Sequence, residues 1–291
     1  MSDGQYTPAE TVRYAGSKGA SCISITDHDR ISGLREAEIT ASEVGIEFIP
    51  GIEISTRGNR ELHILGYYID YTRQGLIDAC DGFIRIREQR APRIFAYLRQ
   101  KGVPLDEKHV QSLAQSYVQS HVQSHAPQIA PGRPHFARAM VEAGYVGSVQ
   151  EAFDKYLGTP EFDAVERVKP SAKDGIKMIL DAGGVPVLAH PAQLKLADEE
   201  LEKLIESLIS DGLCGIECYY STHSPKQIRQ YLEYAKRYGL IVTCGSDFHG
   251  GSNKPGIDIG VRPGFVSETE SEEILHQLRI RRQSRRKYCI D

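Results

Sequence analysis

The sequence predicts an α/β fold of barrel type with a helical insertion, and three observations carry that expectation. Short apolar runs at Cys22–Ile25, Ile46–Ile49, Val185–Leu188 and Leu240–Cys244 read as buried strands between stretches of helical spacing. Carboxylate and imidazole side chains stand where such strands would end: His28 in Thr26-Asp27-His28-Asp29, Glu53 in Gly51-Ile52-Glu53, and His190 in Leu188-Ala189-His190-Pro191. Asp247 and His249 hold the same place in Gly245-Ser246-Asp247-Phe248-His249-Gly250. From about residue 74 to 165 the alternation of strand and helix breaks, and the pattern there is helical. Ligands at several strand exits are how an α/β barrel assembles a multi-metal site.

Taken in order, Thr7-Pro8-Ala9-Glu10 opens a first helix, with Thr7 as N-cap, Pro8 at the first helical position and Glu10 closing a capping box. A strand comes next at Ser21–Ile25, then a helix at about Gly33–Val44 and a strand at Phe48–Pro50. Glu53–Thr56 and Glu61–Ile69 flank the hairpin-like connection Arg57-Gly58-Asn59-Arg60. Gln74–Lys101 has helical spacing, with Pro92 predicting a kink or a split. The alternation resumes at Ser171–Ala182, Val185–Leu188, Asp198–Ser210, Gly215–Tyr219, Pro225–Tyr238 and Leu240–Cys244. The duplication Val118-Gln119-Ser120-His121, Val122-Gln123-Ser124-His125 reads as a loop expansion rather than a metal-binding pair.

A chain of 291 residues buries a full core. Its 40% hydrophobic and 25% charged content is ordinary for a soluble globular protein. A net charge of -4 gives no overall attraction to nucleic acid or anionic membrane. Cys22, Cys80, Cys214, Cys218, Cys244 and Cys289 form no CxxC pair, so buried free thiols in a reducing compartment are expected. No apolar run approaches the roughly 18 residues of a membrane helix, and no leader pattern opens the chain; the expectation is a cytoplasmic protein without membrane contact.

Asp3, His28, Glu53, His63, His190, Asp247 and His249 are the candidate metal ligands, and Asp, Glu and His form the donor set of Mn²⁺, Fe²⁺ or Zn²⁺. The residues alone therefore point to a metal-dependent hydrolase. An amidohydrolase of another class would want a Lys ligand at a strand end, and none stands there. Asp29 is open between orienting an imidazole and capping a helix. His223, in Ser221-Thr222-His223-Ser224, is open between substrate contact and loop residue. His109 and His276 are expected to be solvated. The stretch Arg85, Arg87, Arg90, Arg93 is open between facing a nucleotide and facing solvent. Six of the nine residues from Arg279 to Lys287 are basic, and a solvated or disordered end is expected there.

Several motifs together resemble the PHP (polymerase and histidinol phosphatase) family, over about residues 1–265. They are Ser2-Asp3-Gly4 before Thr7-Pro8, Thr26-Asp27-His28-Asp29, Pro50-Gly51-Ile52-Glu53, His63-Ile64-Leu65-Gly66-Tyr67, Gly132-Arg133-Pro134-His135, Ala189-His190-Pro191 and Gly245-Ser246-Asp247-Phe248-His249, in that order. The similarity is to its small bacterial phosphoesterases acting on nucleoside 3′,5′-bisphosphates and short RNA ends. It implies a distorted (β/α)7 barrel with two to three divalent ions (Mn²⁺, Fe²⁺ or Zn²⁺). Asp3, His28 and His249 would hold one ion; Glu53, His63 and His190 a second; Glu53 would bridge to a third that Asp247 touches. Asp247, His249 and His28 are the expected catalytic residues, and Arg133, His135 and His223 the expected substrate contacts. The family's first strand carries a His-x-His pair just before the position of Asp3, and this sequence shows none. The first strand is thus expected to be missing, leaving an open sheet edge.

The expected organisation is a first barrel part at 1–73, a helical substrate-recognition insertion at 74–165, a second barrel part at 166–265, and a C-terminal helix with a basic tail at 266–291. The expected activity is hydrolysis of phosphate esters of small nucleotides or short RNA by a metal-activated hydroxide, with no obligate protein partner. The alternative is an N-terminally truncated, weakly active or non-catalytic homologue that binds metal or nucleotide.

Overall fold

A computed structural model describes residues 4–57, 62–119, 131–163, 165, 169–250, 256–260 and 266–288. Asp3, Cys289 and the duplication from Ser120 onward lie outside the described residues. The apolar runs form β1 (Cys22–Ile25), β2 (Glu47–Thr56), β3 (Leu62–Tyr67), β4 (Val185–Leu188), β5 (Gly215–Tyr220) and β6 (Ile241–Gly245), side by side in chain order in one curled sheet. The pairs β1–β2, β4–β5 and β5–β6 are parallel, and β3 is antiparallel to both of its neighbours. All strands except β3 therefore run the same way, and their carboxyl ends share one rim.

β2 is one ten-residue strand rather than the two pieces expected, because it changes partner midway. Residues Glu47 to Pro50 pair with β1, and Gly51 to Thr56 pair with β3. Pro50, which has no N–H to donate, marks the changeover. Gly51 admits the neighbouring strand: a Cβ there would lie 2.6 Å from Ser24 Oγ and from Thr26 Cγ2.

The helices are α1 (Pro8–Ser17), α2 (Leu34–Val44), α3 (Gln74–Gln100), α4 (Glu107–Gln119), α5 (Arg133–Glu142), α6 (Val149–Ala152), α7 (Pro160–Asp163), α8 (Ala172–Asp181), α9 (Asp198–Ser210), α10 (Pro225–Tyr238) and α11 (Glu268–Tyr288). The chain forms two compact units, one of Met1–Cys80 with Lys169–Asp291, the other of Asp81–Val168.

In the first unit α1 opens as expected: Thr7 Oγ1 accepts the Glu10 N–H at 3.1 Å, and Glu10 Oε2 accepts the Thr7 N–H at 2.8 Å. Alternation along β1 serves two apolar layers. Cys22 packs with Ile49, Leu65, Val187 and Ile241, whereas Ile23 and Ile25 meet Val12, Ala37 and Ala41 of α1 and α2. The basic tail is helical through Tyr288, because Leu275 and Leu278 anchor α11 in the first of these layers. Arg279 pairs with Glu47, Arg281 donates to the Gly239 carbonyl at 3.0 Å, and the Arg282 guanidinium lies 4.5 Å from the centroid of Tyr68. Cys22, Cys80, Cys214, Cys218 and Cys244 are free thiols. No helix among the described residues is long and apolar enough to cross a membrane.

The second unit has its own core, in which Ile94, Leu98, Phe136, Met140 and Phe162 are completely or almost completely enclosed. α3 runs unbroken past Pro92, since Ile94, Phe95 and Leu98 are locked into that core in the next turns of the helix. Arg90 is buried, with its guanidinium 5.4 Å from the Phe162 ring centroid.

Candidate metal centre

The centre begins with backbone pairing that outlasts β1. The Asp29 N–H donates to the Glu53 carbonyl at 2.9 Å and the Glu53 N–H to the Asp27 carbonyl at 3.1 Å, which sets His28 beside Glu53. Asp29 is buried at φ 53°, and its Oδ1 accepts the Ser55 N–H at 2.9 Å, so its carboxylate ties the turn to β2; the N-cap of α2 is Gly33. In the β2–β3 register Ser55 stands opposite His63 and Glu53 opposite Leu65, which puts Glu53 and His63 on one face as diagonal neighbours. β4 ends at Leu188, and the Ala189 N–H donates to the His63 carbonyl at 3.2 Å, which brings His190 alongside.

Three imidazoles converge on one carboxylate. Glu53 Oε1 lies 2.9 Å from both His63 Nδ1 and His190 Nε2, and Oε2 lies 3.4 Å from His28 Nδ1. Ligand atoms of His28, Glu53 and His63 all fall within 4.8 Å of one another. Two nitrogens, His63 Nδ1 and His190 Nε2, approach to 3.3 Å. Imidazole nitrogens and a carboxylate aimed at one point can share a cation, and imidazole with carboxylate is a donor set for a divalent transition metal. The residues present fit such an ion.

Electrostatics agree with that fit. Burial would raise the Glu53 pKa, but the charges of His28 and His63 and hydrogen bonds from His190 and His63 hold it well below the usual carboxylate range. For His190, burial acts to lower the pKa and is outweighed by Glu53, with Glu217 and Asp247 adding to the rise.

β5 and β6 build the opposite wall. The β5–β6 register slips between Glu217 and Tyr219, a bulge that re-aims the last residues of β5. Residues 217 and 220 would face opposite sides of a regular strand, yet both reach the centre. Glu217 Oε2 accepts the His190 N–H at 2.8 Å, and the Tyr220 hydroxyl donates to Asp247 Oδ2 at 2.7 Å while accepting from Gln193 Nε2 at 2.7 Å. Neither Glu217 nor Tyr220 was among the expected site residues; the available signal was an acid inside the apolar run Gly215-Ile216-Glu217-Cys218. His249 Nδ1 lies 2.8 Å from the Asp247 carbonyl, which only accepts, so the ring proton sits on Nδ1. The Gln5 N–H donates to the His249 carbonyl at 2.8 Å, and the rings of Tyr6, Tyr14 and Phe248 stack with centroids 5.7 to 5.9 Å apart, strapping the N-terminal segment to this loop. Asp29, His190 and Asp247 all have positive φ, at 53°, 25° and 53°, and such strain gathers at functional sites. A cavity of about 310 Å³ opens between β1 and β6, lined by His28, Glu53, His190, Glu217, Asp247 and His249 among others.

No family model matches the chain. Among curated proteins it is 33% identical over 249 residues to a 5′-3′ exoribonuclease of Haemophilus influenzae, covering 85% of this chain and 86% of that protein. It is likewise 33% identical over 260 residues to a 3′,5′-nucleoside bisphosphate phosphatase of Chromobacterium violaceum, covering 89% and 87%. The chain belongs to the PHP family of metal-dependent phosphoesterases. A crystal structure from Bifidobacterium adolescentis, described as that of a metal-dependent phosphoesterase, matches with a TM-score of 0.73 at 28% identity, over 94% of this chain and 92% of that one.

Of the residues expected in a PHP-family site, His28, Glu53, His63 and His190 are drawn into one cluster, and Asp247 and His249 line the same cavity. Asp3 lies outside the described residues. His223 is buried between the rings of Tyr220 and Tyr231, with Nδ1 on the Cys218 carbonyl at 2.9 Å, and it is not among the residues lining the cavity. Arg133 and His135 belong to the Asp81–Val168 unit, in the first turn of α5, where His135 Nδ1 accepts the Gly132 N–H at 2.9 Å.

Proposed function

We propose that the protein hydrolyses phosphate esters of small nucleotides, removing the 3′-phosphate of nucleoside 3′,5′-bisphosphates or degrading short oligoribonucleotides from the 5′ end. The observation that carries this reading is the convergence of His28, His63 and His190 on the buried Glu53, with His28, Glu53 and His190 lining a cavity that Asp247 and His249 also line. Glu53, His63, His190 and His28 would hold divalent ions, with Asp247, His249 and Asp3 completing a set of two to three. Bound Mn²⁺, Fe²⁺ or Zn²⁺ would supply a water of lowered pKa and positive charge against the charge developing on phosphorus. The chain's own contribution is placement. Tyr220 fixes Asp247 through its hydroxyl, and Asp247 fixes the His249 tautomer so that Nε2 is the basic nitrogen. Arg133 offers a planar fork for phosphate oxygens at the start of α5, where the helix dipole favours an anion. Free thiols throughout the described core suit a reducing cytoplasm.

The finer fold belonging to this reading is a seven-stranded barrel. β1 and β6 run in the same direction, neither has a second strand neighbour among the described residues, and both line the same cavity, so one strand laid parallel to both would close the sheet. A synthetic strand bearing His-x-His should raise the metal count when added; an unchanged count would count against closure.

The deciding assay measures phosphate release from adenosine 3′,5′-bisphosphate and nucleotide release from a short 5′-phosphorylated oligoribonucleotide with Mn²⁺ present. At least one should be turned over, and chelation should abolish it. Inertness toward both in metal-loaded, folded protein would overturn the reading.

A further inference from the structure

We propose that Glu217 is the positioning residue of the centre, holding the His190 main chain so that its imidazole reaches Glu53. The inference rests on the metal reading above for its functional consequence, but its geometry stands alone. His190 comes after β4 at φ 25° and ψ 60°, outside strand and helix alike, so its N–H has no sheet partner to use. Glu217 Oε2 accepts that N–H at 2.8 Å from the adjacent strand. Glu217 is 3% exposed, and its second oxygen lies close to Gly245, where a Cβ would sit 2.4 Å from Oε1. The bulge just after Glu217 allows Tyr220 to reach Asp247 without withdrawing Glu217 from His190. With Oε2 taken up by the His190 N–H, Glu217 acts through the main chain of His190.

A glutamine would fill the same space and still accept the N–H, whereas an aliphatic residue of that size could not. Acceptance of the N–H requires an oxygen, not a charge.

That distinction gives the test. Protein labelled with ¹⁵N-histidine and freed of metal by chelation should show the His190 amide shifted downfield and slow to exchange. Glu217→Gln should keep that signature, and Glu217→Leu should lose it. In the same three proteins Mn²⁺ affinity, read by electron paramagnetic resonance, should stay near the wild-type value in Glu217→Gln and fall by about tenfold or more in Glu217→Leu, as when an outer partner of a ligand is removed. Should Glu217→Leu not fold, Glu217→Asp, which keeps the charge but withdraws the acceptor by one methylene, takes its place with the same expected losses. Wild-type Mn²⁺ affinity in a folded Glu217→Leu protein would overturn the inference, as would a Glu217→Gln protein as impaired as Glu217→Leu. If wild-type protein binds no Mn²⁺, the metal reading fails; the amide signature then still decides whether Glu217 holds His190.

Discussion

Glu53 can be neither lost nor neutralised without consequence, because three imidazoles depend on it. Without its carboxylate, His63 Nδ1 and His190 Nε2 would face each other at 3.3 Å with no anion between them. Glu53→Ala should lose most bound metal and reduce turnover by at least about 100-fold, since even outer partners of ligands typically cost about 10- to 100-fold. Elemental analysis beside steady-state kinetics checks this; normal metal content with near-normal turnover would remove Glu53 from the centre. The thiols give a second residue-scale expectation. Burial is the main cause that pushes Cys22 up to about 12 and Cys244 up to about 11, so at pH 8 thiolate should be on the order of 10⁻⁴ and 10⁻³ of each. Rapid labelling of either by a thiol reagent in native protein would contradict that. Legibility at this scale depends on strand regularity. Glu53 and His63 were readable because a regular β2–β3 register sets them on one face, whereas Glu217 and Tyr220 share a side only through a bulge with no mark in the sequence.

Among elements, β3 and α8 meet where β3 has no side chain. A Cβ on Gly66 would lie 2.9 Å from Ile179 Cγ1 and 3.1 Å from Ile52 Cγ2, both in side chains with no exposure. Gly66→Ala should therefore overpack this layer and cost about 1–3 kcal/mol, seen as a lower urea midpoint at unchanged slope. A midpoint equal to the wild type would mean α8 moves away freely. The elements most visible in the sequence were those with local signals. Thr7, Pro8 and Glu10 mark the start of α1, and the capping box they form is present. The course of α3 past Pro92 and the ordering of α11 depend on what Ile94, Leu98 and Leu278 bury, which is tertiary information.

At the scale of the whole molecule, the described residues proposed as metal ligands and the proposed phosphate contact Arg133 lie in different units. Arg133→Ala, in the Asp81–Val168 unit, should raise KM for a bisphosphate by about 10- to 150-fold while leaving metal content unchanged, since a charge-assisted contact is worth roughly 1.5–3 kcal/mol. Unchanged KM with lowered stability would make Arg133 structural. Metal linkage should divide in the other direction, because every described residue proposed as a ligand lies in the Met1–Cys80 and Lys169–Asp291 unit. A ligand that binds only the folded form stabilises it by RT ln(1 + [L]/Kd), about 2.7 kcal/mol at one hundred times Kd. Amides that exchange through unfolding of that unit, such as Val187 and Ile216 in its core strands, should then slow by about 100-fold when Mn²⁺ is added. Amides of Ile94, Phe136 and Met140, which belong to the separate core of the other unit, should exchange at their metal-free rates. Native-state hydrogen exchange with and without Mn²⁺ measures both sets at once. Equal slowing in both would show that the two units unfold as one, and no slowing in either would show that the imidazoles around Glu53 hold no ion.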